Sequence, residues 1–116
     1  MSTTYTGEVF FGAFVDRRTI LGERLERYVH KAGYSPVATE VRGVEIHTVG
    51  SSPTGEEWMV VRADGSDRSF SRYDNVVAPA PLTEDPAWRP AIEAFFARLK
   101  VKSPSPIGWH FAGSVS

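Results

Sequence analysis

The 116-residue chain contains no cysteine. That excludes disulfides, thiolate nucleophiles and cysteine-ligated metal, and it fits a reducing compartment. Long apolar runs are also missing, and nothing approaches the roughly 18 residues that cross a bilayer. The opening Met-Ser-Thr-Thr-Tyr-Thr has neither the positive nor the apolar region of a secretory signal. The cytoplasm is therefore the expected location, with no membrane contact. Nor does one sign of charge dominate: 13 Lys and Arg stand against 14 Asp and Glu, for a formal net charge of −1. Affinity for nucleic acid grows from neutralised phosphates, so a balanced chain ranks such partners low.

Catalytic and ligand signatures are sparse. Neither the phosphate-cradling G-x-x-x-x-G-K-[ST] nor the hydrolase G-x-S-x-G occurs. The three histidines, His30, His47 and His110, are too scattered to converge on a metal ion. Asp64-Gly65-Ser66-Asp67 lacks the later glutamate of a calcium loop. No metal and no cofactor is expected.

What is present suits one globular domain over residues 1–116. Hydrophobic residues make up 41%, with seven Phe, four Tyr and three Trp to supply buried area. A chain this long buries roughly two-thirds of its unfolded surface, enough for a core without staples. Residues 5–15 read as a first strand, with apolar side chains on both faces, as in a strand covered on both sides. Asp16 is placed to cap a helix over 17–32, where Leu21, Leu25, Tyr28, Val29 and Ala32 recur at helical spacing; Gly33 ends it. Strands follow at 44–49 and 58–63. The dipeptide Asp64-Gly65 predicts a tight hairpin returning through 69–73. Pro86 and Pro90 suggest a short turn and then a helix over 90–100, with Trp88, Ile92, Phe95, Phe96 and Leu99 as its buried stripe. Residues 107–115 form the last strand.

The order β-α-β-β-β-α-β predicts an α+β sandwich of ferredoxin-like type. An antiparallel sheet of about five strands would carry two helices on one face.

One constellation gives a register. Gly7 and Gly12 are five apart, and so are Gly108 and Gly113. Pairing the first and last strands antiparallel with these glycines in step sets Val9 opposite Phe111 and Phe11 opposite Trp109 on one face. Phe10 then faces His110, and Glu8 faces Ala112, on the other. Strand glycines mark bulges, bends or close approach. His110 beside such a gap, with Glu8 diagonal to it, is the best acid–base pair the chain offers. The competing structural account is that the glycines relieve coiling and His110 merely packs.

Arg62, Arg68 and Arg72, interleaved with Phe70 and Tyr73, form a second candidate surface on the expected hairpin, suited to a protein partner or to stacked bases. Three functions compete. The leading one is a non-enzymatic binding protein of adaptor or inhibitor type, acting on a protein partner or on itself as a homodimer through the sheet. The second is an enzyme or small-molecule binder, using His110, Glu8 and His47 with Phe10, Trp58 and Trp109 as walls. The third is weak nucleic-acid binding through the Arg and aromatic hairpin.

Overall fold

The computed structural model describes residues 5–51, 56–71 and 82–115. Eight elements follow in the order β1 (Tyr5–Asp16), α1 (Ile20–Ala32), β2 (Val37–Ala38), β3 (Val44–Ser51), β4 (Glu56–Ala63), β5 (Arg68–Ser71), α2 (Trp88–Arg98) and β6 (Gly108–Val115). All strand pairs are antiparallel. The fold is of the α+β class. No helix among the described residues is long and apolar enough to cross a membrane.

β1 organises the sheet. Its 12 residues pair with β6 along one edge, from Tyr5↔Val115 to Gly12↔Gly108. Gly7 meets Gly113, Phe10 meets His110 and Phe11 meets Trp109, the register that the glycine spacing predicts. On the other edge β4 pairs with residues 12–16 and β5 with residues 6–9. β4 and β5 therefore lie end to end along one side of β1, and the sheet runs β2-β3-β4(β5)-β1-β6.

This corrects the hairpin expected at Asp64-Gly65. The turn is there, with Ser66 N–H donating to Ala63 carbonyl at 3.1 Å and Gly65 at φ +80. Asp64 keeps a negative φ, so this is not the two-residue I′ turn that reverses a strand. The chain buckles outward and rejoins the same edge. Between Gly12↔Arg62 and Val9↔Arg68, three steps along β1 are matched by six along its partner. The odd surplus flips the side-chain phase, so Arg62 and Arg68 emerge on opposite faces.

Ser66 repairs the break. Its buried hydroxyl accepts from Phe11 N–H at 3.1 Å and donates to Ala63 carbonyl at 2.7 Å. On the other edge, where β6 has ended, Ser105 Oγ accepts from Phe14 N–H at 3.0 Å and donates to its carbonyl at 3.2 Å. Two serine hydroxyls thus replace missing strand at both interruptions, as buried backbone polar groups require.

Both helices lie on one face. Leu25 of α1 and Ile92, Phe95 and Phe96 of α2 pack with Phe11, Ala13, Val15, Val44, Ile46, Met59 and Val61. The cap of α1 is Thr19, not Asp16: Thr19 Oγ1 accepts from Gly22 N–H at 3.0 Å, while Asp16 binds Arg18. Gly22 explains the later start, since any Cβ there would collide with the Asp16 carbonyl. α2 begins at Trp88, so Pro90 falls in the first turn, where helix N–H groups have no internal acceptor and proline costs nothing.

The sheet is strongly curled. β3 and β6, with two strands between them in the order, come within 8 Å of each other. The helices occupy one side, so the curl is concave on the helix-free side. Phe10 and Val60 point there and are fully buried.

Candidate functional site

The concave face is set by strand alternation. Glu8, Phe10, Gly12 and Phe14 of β1 share it with Trp58, Val60 and Arg62 of β4, Glu45 and His47 of β3, and His110 of β6. Its centre is Arg62, which is only 5% exposed. Its Nε lies 2.6 Å from Glu45 Oε1, Nη1 lies 3.6 Å from Glu8 Oε1, and Nη2 lies 3.8 Å from Asp67 Oδ2. Glu45 is its direct neighbour on β3. Gly12, opposite on β1, has no side chain, and the backbone of Val61 and Arg62 fills the place where a Cβ would stand. An arginine is suited to such a cage because its fork presents several donors to separate oxygens. Three carboxylates surround one cation, so the buried cluster is net negative, and Glu8 Oε1 is buried without a hydrogen bond.

His47 borders this cluster and shares a hydrogen bond with Ser35 Oγ through Nδ1, at 3.0 Å. Burial, and then the Arg62 charge, hold its pKa below the usual histidine value; Glu8, Glu45 and Asp67 oppose the shift. His47 is the neutral member of the group at neutral pH.

Aromatic rings occupy the rest of the face. His110 stacks on Phe10 with centroids 5.7 Å apart and planes at 20°, and meets Phe14 edge-on at 5.3 Å. Phe14 touches Trp58 at 6.0 Å. His110 Nε2–H donates to Pro106 carbonyl at 2.7 Å. Glu8 and His110 therefore share a face but serve different partners, the carboxylate facing Arg62 and the imidazole facing a loop carbonyl. Trp109 lies on the opposite face, against Phe11 and Trp88 at 5.7 Å each, so Phe10, Trp58 and Trp109 do not wall one cavity.

The second candidate surface divides as well. Arg62 is buried in its cage, and Arg68 is exposed on the other face. Phe70 belongs to β5 through its backbone, while Arg72 and Tyr73 lie outside the described residues. The Arg and aromatic patch expected of a hairpin is not formed by Arg62 and Arg68. Sequence reasoning named Arg62 but missed its cage, because Glu8, Glu45 and Asp67 are brought to it only by strand pairing. Among the described residues, no group of three or more His, Asp or Glu is arranged to hold a metal ion.

Elsewhere the surface exposes large apolar side chains. Ile20 is 81% exposed at the start of α1, and Trp58 is 39% exposed. Trp58 lies directly opposite Asp16, whose carbonyl anchors Thr19 one residue before Ile20. Both therefore stand at the same end of the sheet. Compared with known proteins, no family model matches this chain, and no curated protein and no solved structure matches it either.

Proposed function

We propose that this is a non-enzymatic binding protein that acts by contact with another protein, through the end of the molecule where Ile20 and Trp58 stand out. The observation that carries the reading is the exposure of Ile20, 81% for a fully aliphatic side chain at an ordered helix start. Exposed apolar side chains at one end of a molecule suit a contact surface for another protein. Tryptophan is among the residues enriched at binding hot spots. By contrast, the ionisable groups described on the concave face face different partners, Glu8 turning to Arg62 and His110 to the Pro106 carbonyl.

The fold assignment behind this reading is a ferredoxin-like sandwich. The antiparallel order β6-β1-β4-β3, with two helices on one face, supports it. The absence of cysteine supports a reducing compartment such as the cytoplasm. The partner is a second protein or a second copy of this chain. A photo-crosslinking residue at position 20, with position 93 on α2 as control, tests the contact in cell extract and with purified protein. A defined adduct from position 20 that disappears in Trp58→Glu is the expected result. A strict monomer with no adduct above the control ends the proposal.

A second reading, small-molecule binding on the concave face, has one observation in its favour: the buried Glu8 Oε1 without a hydrogen bond. A metabolite thermal-shift screen tests it, and a screen without a hit removes it.

A further inference from the structure

Six cations gather on the outer side of the helical layer: Arg24, Arg27 and Lys31 of α1, with Arg98, Lys100 and Lys102 at the end of α2. At 100° per residue, Ile20, Arg24, Arg27 and Lys31 fall within about 60° of arc, one stripe along α1. Arg24 Nη1 donates to Leu99 carbonyl at 3.2 Å, tying that stripe to the end of α2. Tyr28 lies between, its hydroxyl on both oxygens of Glu40 at 3.0 and 2.8 Å. Lys31 and Arg98 are both near enough to act on the Glu40 carboxyl, so the two groups of cations face one region.

Two features mark this patch. None of the six has a carboxylate within ion-pair distance among the described residues, a condition that Arg42 and Arg68 share. The second is the backbone of Lys100. Helix α2 ends in a Schellman motif, with Lys100 N–H on Ala97 carbonyl and Val101 N–H on Phe96 carbonyl. The residue in the left-handed position of that motif is ordinarily glycine, as Gly33 is at the end of α1 (φ +78). Here it is Lys100, at φ +60, the one described non-glycine residue with positive φ. A side chain held in that region marks a strained position, which points to a use for the side chain itself.

We infer that the stripe from Ile20 to Lys31, together with Arg98, Lys100 and Lys102, docks an acidic peptide segment of the protein partner, and that Lys100 is kept in its strained conformation for its charge. The inference rests on the protein-contact reading, since Ile20 begins the same stripe. Charge complementarity selects the occupant. The patch is positive in a chain whose net charge is −1, with a net-negative cluster on its other face. A short acidic segment meets only the patch, whereas an extended polyanion also meets the rest of the molecule.

The test uses fluorescein-labelled deca-glutamate and the full chain at about 20 mM salt, where screening is weak. A ten-nucleotide oligothymidylate and phosphatidylserine vesicles form the other arms. The wild-type protein is expected to bind the peptide more tightly than either alternative, with affinity falling as salt rises. Lys100→Gly is expected to weaken peptide binding about fivefold, within the range of one partly screened charge, and to raise the melting temperature because backbone strain is relieved. Lys31→Glu weakens binding further, and Arg68→Gln on β5 leaves it unchanged. Equal affinity in Lys100→Gly, no peptide binding, or tighter binding of the oligonucleotide or vesicles overturns the inference. If the peptide arm fails while adducts from position 20 persist, only this inference falls. Loss of both ends the contact reading too.

Discussion

The two faces of the sheet both hold fully buried residues but are built on opposite principles. Under the helices the interior is hydrocarbon, with Phe11, Ile46, Met59, Val61, Leu25, Ile92 and Phe95 all fully buried. On the concave side, Phe10 and Val60 are equally dry, yet they lie beside a guanidinium caged by three carboxylates. The first face is specified by area removed from water and is indifferent to pH. The second depends on charges that were desolvated and must therefore be matched. A chain can thus make both sides of one strand interior, but only the helix-covered side tolerates changes in detail.

Where the faces meet, the largest effect is expected. A Cβ at Gly12 would collide with the Val61 carbonyl and the Arg62 backbone, whereas at Gly108, its partner on β6, it would meet nothing within 4 Å. Gly12→Ala should cost about 5 kcal/mol or more, or prevent folding, because backbone has to move. Gly108→Ala should change stability by less than about 1 kcal/mol. Equal effects in chemical denaturation would show that β4 does not crowd β1 at this point.

Next comes the cage itself. Arg62→Met keeps much of the volume and leaves three carboxylates without their cation, which should cost about 3–5 kcal/mol at pH 7. Uncompensated buried carboxylates take up protons more readily in the folded state than in the unfolded chain. Protonation removes the unpaired charge, so the variant should recover stability on acidification. Phe95→Ala, on the other face, should lose a similar amount with no such recovery. Parallel pH profiles for the two variants would erase the distinction between the faces.

The smallest effect concerns His47. Its folded pKa is depressed by burial and by Arg62, so the fold binds fewer protons than the unfolded chain below about pH 6.5. The sign follows directly: stability is full above that value and declines as pH drops toward the folded pKa. An NMR titration of the imidazole should place its midpoint below 6.5, and His47→Gln should flatten the stability profile in that window. A midpoint above 6.5 would mean that the carboxylates, not burial and Arg62, dominate the site.

Much of the architecture was legible along the chain. The alternation in residues 5–15 shows a strand buried on both sides, and the matched glycine spacing gives the β1–β6 register residue by residue. The helical stripe and its terminal Gly33 likewise follow from local chemistry. Local rules failed at Asp64-Gly65, where a sequence suited to a hairpin makes a buckle instead. Ser66 satisfies Phe11 N–H there, and Phe11 is 55 residues away in sequence. Thr19 displaces Asp16 as the cap for a similar reason, because Gly22 must pass close to the Asp16 carbonyl. Glu8 and His110 share a face through the β1–β6 register, but the cation beside Glu8 is Arg62 on β4, which no short-range signal reveals.

By itself, then, the sequence determined both helices and five of the six strands, missing the two-residue β2, and it determined which edges of β1 and β6 meet and which side chains alternate inward. Only the tertiary structure decided that β5 continues β4 along the same edge, that Arg62 and Arg68 point apart, and that Glu8 serves Arg62 rather than His110. The physical reason is range. Periodicity and capping act over a few residues, while charge pairing and backbone satisfaction are settled by whichever group the folded chain brings within about 3 Å.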